Sequence, residues 1–243
     1  MGSLFFIFII VFFGVLIFRF RNYKFKFKTF FKKGLRVRDS RFGVYCYTGK
    51  QGCGKTQNAV HFILDNCGKD WEVYANLRSL KGINYYYFNG IESLLSLRTK
   101  KHCIIFYDEI FTILMKGTKF NNDILDFLSQ MRKREIIFIT TAQEWLELPM
   151  TLRRYVRYQV NCSLFSLPLL PTISIKHIND AYRMKWSQEE NDYIAPLISC
   201  VIEKLNLKVL NSYDTFEQIP TDTNVFPTYI DNLHEGNETT TLP

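Results

Sequence analysis

No two of the chain's six cysteines stand in a C-x-x-C pair. Cys46, Cys53, Cys67, Cys103, Cys162 and Cys200 are scattered through 243 residues. That spacing argues against a zinc ligand set and a disulfide framework, and the six read as reduced thiols. Charge is missing from parts of the chain as well. Residues 4–18, Leu-Phe-Phe-Ile-Phe-Ile-Ile-Val-Phe-Phe-Gly-Val-Leu-Ile-Phe, carry none, and no Lys or Arg precedes them. Residues 19–38 carry no acid. Elsewhere there is no basic excess. Nine of the 31 Lys and Arg lie at 19–38, which leaves 22 against 23 Asp and Glu in residues 39–243. The formal net charge of +8 therefore belongs to one segment. It gives no ground for reading the remainder as a nucleic-acid binder.

The uncharged run is at the short end for a membrane-spanning helix. A cleaved signal peptide would want a basic start and a small-residue cleavage site, and the run has neither. An uncleaved transmembrane anchor over residues 1–18 is the expectation. Behind it stand Arg19, Arg21, Lys24, Lys26, Lys28, Lys32, Lys33, Arg36 and Arg38. Such a cluster directly after a span places that side in the cytoplasm and attracts anionic headgroups. Tyr23, Phe25, Phe27, Phe30 and Phe31 are interleaved with it and suit a membrane interface. Residues 19–38 thus read as a basic, aromatic juxtamembrane segment.

The strongest local signal begins at Gly43. Gly-Val-Tyr-Cys-Tyr-Thr reads as a buried strand, and Gly49-Lys50-Gln51-Gly52-Cys53-Gly54-Lys55-Thr56 follows it. Ala59, Val60, Ile63 and Leu64 then recur at helical spacing. The eight residues are G-x-x-x-x-G-K-[ST], the phosphate-binding loop, in its strand-to-helix context. The glycines let successive N–H groups curl into one concavity, and the helix N-terminus adds partial positive charge. Lys55 would reach the β- and γ-phosphates of ATP, and Thr56 would offer its hydroxyl to Mg²⁺. Roughly 0.005 chance matches are expected in a chain this long. Cys53 is either a small filler in the loop or a modifiable thiol.

Further along, Glu72–Asn76 reads as a strand, Tyr85–Phe88 as an antiparallel edge strand, and 91–97 as a short helix. His102-Cys-Ile-Ile-Phe-Tyr-Asp108-Glu109 is a near-continuous apolar run ending in two acids. A strand without polar alternation is buried on both faces, as in a parallel sheet, whose carboxyl edge binds ligands. The acids read as a Walker B pair, with Asp108 holding Mg²⁺ and Glu109 polarising the attacking water. The rival reading is a strand that ends in a solvated acidic turn. Asn121 or Asn122 can cap a helix with Ile124, Phe127, Leu128 and Met131 on one face. It ends in Arg132-Lys133-Arg134. Residues 135–143 form a fourth core strand closing on Gln143, which would orient the water or sense the γ-phosphate; an ordinary turn residue is the alternative.

Residues 152–154 read as a short helix, and 156–164 as a fifth core strand. The expected fold is α/β, a doubly wound, mainly parallel sheet of the P-loop NTPase type. In its additional-acid class the core strand order is 5-1-4-3-2, which brings Gln143 beside Asp108 and Glu109. The ATPase domain would cover 39–220. A small β excursion near 165–190 would pair Ile173–Ile178 with Tyr182–Trp186, with 187–194 as a loop. Residues 201–210 fit helix or strand. Residues 221–243 would be a tail, disordered over its polar last dozen residues.

The Gly49 loop, Asn76, Asp108-Glu109 and the Arg132 to Gln143 stretch resemble the FtsK/HerA-type ATPases. Within those, the chain is most similar to the Zot-like (zonula occludens toxin-like) assembly proteins of filamentous phages. Tyr213-Asp214-Thr215 resembles the end of that family's ATPase domain. The resemblance covers roughly residues 42–220. It implies an ATP- and Mg²⁺-dependent hydrolase, a homo-oligomeric ring, single- or double-stranded DNA as partner, and contacts to virion coat or export proteins. It also implies an arginine supplied between subunits: Arg134, then Arg132, with Arg153 and Arg154 as further candidates; the rival reading is that all four are solvated surface arginines or contacts to DNA. Members usually carry their membrane span after the ATPase domain, whereas here it comes first, which argues against an extracellular toxin role. Two further readings stay open: a nucleotide-switched membrane assembly module, and, more weakly, a small-molecule kinase, for which no arginine-rich lid is found.

Overall fold

The computed structural model describes residues 2–20, 42–68, 70–114, 122–166, 172–188, 192–220 and 223–232, with side chains of residues 6–15 in the first helix. The chain divides into two compact units, residues 1–32 and 33–243. The first holds helix α1 (Gly2–Phe20). Phe6, Phe8, Ile10 and Phe13 on it are all more than half exposed. Among the described residues no helix is long and apolar enough to cross a membrane. The anchor expected over 1–18 coincides with α1 apart from Met1, which lies outside the described residues. Most of the juxtamembrane segment expected over 19–38 lies outside the described residues.

The second unit alternates strands and helices. In chain order come β1 (Gly43–Thr48), α2 (Lys55–Asn66), β2 (Glu72–Ala75), β3 (Tyr85–Asn89), α3 (Ile91–Ser96), β4 (Cys103–Tyr107), α4 (Asn122–Gln130), β5 (Ile136–Ala142), α5 (Met150–Tyr155) and β6 (Val156–Phe165). Then follow β7 (Ile173–Asp180), β8 (Lys185–Ser187), β9 (Asp192–Ile194), β10 (Leu197–Lys204), α6 (Leu207–Leu210) and β11 (Val225–Ile230). The main sheet runs β10-β7-β6-β1-β5-β4-β2-β3-β11. From β6 to β3 every neighbouring pair is parallel. Both flanks are antiparallel.

The apolar runs of the central strands follow from this layering. Tyr45, Ile104, Phe106, Ile137 and Ile139 face one core, shared with Ala59, Val60 and Ile63 of α2. Val44, Ile105, Tyr107, Ile136 and Phe138 face the other, shared with Leu94, Phe127, Leu128 and Leu152. A strand with helices on both sides needs apolar residues at every position. Because β1, β5 and β4 are adjacent and parallel, their carboxyl ends share one edge.

Several local expectations are corrected. Strand β3 is not an antiparallel edge: it runs parallel to β2, with Tyr74 opposite Tyr86, and β11 covers its other side. Strand β7 pairs with β6 and β10, not with residues 182–186, where Ala181–Arg183 is a 3-10 turn. The loop expected over 187–194 contains β9, which pairs with β8. Residues 201–210 divide between β10 and α6. The tail expected from 221 includes β11, while 233–243 lie outside the described residues. Asn122 begins α4; Asn121 lies outside the described residues. Alternation of apolar residues is a local property. Strand partners are chosen by which surfaces remain uncovered, and no local pattern records that.

Candidate functional site

The loop between β1 and α2 closes the carboxyl edge of the sheet. Gly49 has φ +143°, and a Cβ there would stand 2.5 Å from Cys53 Sγ and 2.6 Å from the Cys162 carbonyl oxygen. No side chain fits, so the Cys53 sulfur fills that space. Burial pushes its thiol up, against the opposing effect of Lys55. Gly54, at φ +83°, is the N-cap of α2 and supplies no side-chain cap. The first N–H groups of α2 are thereby left for an anion. The Gly49 N–H donates to the Gln143 carbonyl at 3.2 Å, tying the loop to the end of β5. Lys50 and Gln51 are exposed at the loop tip with Gly52. Lys55 Nζ donates to the Lys50 carbonyl at 3.2 Å, folding its ammonium back over the loop.

The second half of the site comes from the ends of β4 and β5. Thr56 Oγ1 donates to the Asp108 carboxylate, 3.0 Å from Oδ2. Thr141 Oγ1 donates to Asp108 Oδ1 at 2.6 Å and accepts the Glu109 N–H at 2.8 Å. Asp108 is 7% exposed. Burial raises its pKa to about 6, opposed by hydrogen bonds from Thr141 and Thr56 and by Lys55, and reinforced by Glu109. Glu109 adopts the left-handed conformation, φ +54°, and opens the 3-10 turn Ile110–Thr112. Non-glycine residues in this region carry strain, which collects at functional sites.

Residues 45–164 match the family model "ATPase family associated with various cellular activities (AAA)". The chain is a P-loop ATPase. A search of curated proteins finds no match for it. Among solved structures, the N-terminal domain of zonular occludens toxin from Neisseria meningitidis shares its fold. The two are 19% identical over 71% of this chain and 98% of that one, with a TM-score of 0.50. The DNA-packaging ATPase of Sulfolobus turreted icosahedral virus is 14% identical over 63% and 95%, with a TM-score of 0.43. The flagellar accessory protein FlaH from Methanocaldococcus jannaschii is 14% identical over 58% and 80%, with a TM-score of 0.40.

The ATPase thus brings together Gly49 to Thr56, Asp108 and Glu109, with Gln143 at the same edge. Gln143 is half-buried, and its N–H donates to Glu147 Oε2 at 3.2 Å. Arg132 and Arg134 lie elsewhere. They precede β5, at the sheet edge opposite the loop, where the Arg134 carbonyl accepts the His102 N–H at 2.9 Å. Arg134 Nη2 donates to Gln130 Oε1 at 2.9 Å. Arg153 sets its guanidinium 5.4 Å from the Tyr193 ring centroid, and Arg154 is exposed.

Two residues, Asn76 and Thr141, gain roles at the site that sequence reasoning did not assign them. Asn76, fully buried just past β2, donates to the Asp108 carbonyl at 3.1 Å and accepts its N–H at 2.7 Å. Thr141 links the two acids. Tyr213 is buried in the core shared with α2, and its phenol is pushed up by burial and then by the charge of Asp108. The available signal was a polar residue closing an apolar strand, as Asn76 and Thr141 do.

Among the described residues no three His, Cys, Asp or Glu side chains cluster as a metal site. One carboxylate and one hydroxyl within hydrogen-bond reach of each other fit Mg²⁺ instead, which takes one or two protein ligands and fills its octahedron with phosphates and water.

Proposed function

We propose that this ATPase is a membrane-anchored motor that uses ATP hydrolysis to drive viral or plasmid DNA packaging, virion assembly or extrusion at the cytoplasmic face of a membrane. The observation that carries this reading is a pairing within one chain. An ATPase unit with the fold of the zonular occludens toxin N-terminal domain follows an apolar helix and a nine-cation segment. In this reading α1 is the anchor, residues 39–243 lie in the cytoplasm, and the units assemble as a ring that meets DNA and coat or export proteins.

The loop N–H groups and Lys55 hold the β- and γ-phosphates of ATP. Thr56 and Asp108 would hold Mg²⁺, which when bound supplies neutralising charge at the phosphate oxygens. Glu109 takes the proton of the attacking water, and Gln143 orients that water. Arg134 or Arg132 of a neighbouring subunit would add charge at the γ-phosphate.

The test is turnover by the full chain in lipid nanodiscs, with and without single- and double-stranded DNA. Severalfold stimulation by one of them is expected. Turnover unchanged by either would sink the motor and leave the nucleotide-switched assembly module.

A further inference from the structure

The peptide joining the two acids is held at both ends. Its carbonyl oxygen, from Asp108, accepts from Asn76 Nδ2 at 3.1 Å. Its N–H, from Glu109, donates to Thr141 Oγ1 at 2.8 Å. The two holders come from the strands on either side of β4: Asn76 just past the end of β2, Thr141 near the end of β5. Both are fully buried. Asn76 is itself anchored, because its N–H donates to the Phe106 carbonyl at 3.2 Å and its Oδ1 accepts the Asp108 N–H at 2.7 Å. Its side-chain amide thus continues the β2–β4 ladder one step beyond the strands.

This grip has a conformational consequence. Glu109 sits at φ +54°, a region that non-glycine residues avoid. A half-turn of this one peptide would carry φ to about −126°, out of the left-handed region. It would also turn the carbonyl away from Asn76 and the N–H away from Thr141. The Asp108 carbonyl and the Glu109 N–H would then lose the partners that hold them, and the Asn76 Nδ2 its acceptor, which opposes the relaxation.

We propose that Asn76 and Thr141 are positioning residues that clamp the Asp108–Glu109 peptide and hold Glu109 in its left-handed conformation, fixing where its carboxylate stands relative to Asp108. The catalytic consequence rests on the reading of Glu109 as the general base; the clamp itself does not. Without the clamp, Thr56 and Thr141 still bond the Asp108 carboxylate and the phosphate loop is untouched. The defect should therefore fall on the chemical step and spare nucleotide binding.

Asn76→Ala separates these possibilities, with Asn76→Ser as the smaller change to be read if the alanine variant does not fold. Crystal structures of the variants should show Glu109 at negative φ. Their kcat should fall about 10- to 100-fold while KM for ATP stays within about twofold. Glu109 remaining near +54°, or kcat and KM shifting together, overturns the clamp. Glu109→Gln is measured alongside. Wild-type turnover in that variant overturns the reading of Glu109 as base, while a turned peptide in the Asn76 variants still establishes the clamp.

Discussion

At Asp108, burial and charge are in conflict. The carboxylate is held near pKa 6, above the ordinary 3.8, mainly by desolvation. Between those values the folded chain binds more proton at this site than the unfolded chain does. Its contribution to stability therefore falls as pH rises from about 4 to about 6, then levels. Asp108→Asn removes the conflict. Without nucleotide or divalent cation, the variant should match the wild type below pH 4 and exceed it by about 3 kcal/mol above pH 6. Urea unfolding across that range checks this, and a difference that does not grow with pH would contradict it. The neighbouring residues should fail in two separate ways. Lys55→Ala should weaken ATP binding, because the phosphates lose a point charge. Glu109→Gln should keep binding and lose turnover. Fluorescent-nucleotide titration beside a phosphate-release assay distinguishes them.

At the scale of elements, the strand that sequence reasoning left in a tail does structural work. Strand β11 covers β3, which would otherwise present an open parallel edge. Asn89 Nδ2 donates to the Thr223 carbonyl at 3.0 Å, Ser93 Oγ to the Val225 carbonyl at 2.7 Å, and Tyr229 sits 5.3 Å from Tyr86, ring to ring. Pro227 within it suits an outermost strand, since proline cannot donate to a further ladder. Truncation after Pro220 should destabilise the chain by on the order of 2 kcal/mol and promote association through the exposed edge. An unfolding midpoint equal to the full chain's would show that β11 is dispensable. The reason it escaped notice is visible in Val225-Phe-Pro-Thr-Tyr-Ile230: six residues with a proline in the middle make a weak strand signal. By contrast, β4 and β5 were legible because burial on both faces demands unbroken apolar runs, and the phosphate loop because its turn needs glycines at set positions.

At the scale of the whole molecule, Arg134 stands at the start of β5 and Gln143 follows its end. A strand of that length spans about 23 Å, which puts Arg134 far from the phosphate loop of its own chain. If it serves hydrolysis, it does so in a neighbour. Lys55→Ala subunits keep their arginines, and Arg134→Ala subunits keep their nucleotide site. Mixing the two should restore ATPase activity above either alone, since an arginine finger is typically worth on the order of 10³ in turnover. A co-assembled mixture as inactive as its parts would remove Arg134 from that role. The proposed anchor and its orientation have their own test. Protease added outside intact cells or spheroplasts should leave residues 39–243 whole, and cleavage there would reverse the topology inferred from the nine-cation flank.

The sequence by itself determined what is local: the phosphate loop at 49–56, the buried strands, the acids that end one of them, and the concentration of positive charge at 19–38. Each rests on residues within a few positions of one another, where spacing, glycine and apolar period suffice. Only the tertiary structure decided that β3 is interior and parallel, that β11 covers it, and that β7 turns back against β6 and β10. It alone brought Asn76, Thr56 and Thr141 onto Asp108 from positions 32, 52 and 33 residues away. Contacts at such separations depend on which surfaces the rest of the fold leaves to be buried and which polar groups it leaves to be satisfied.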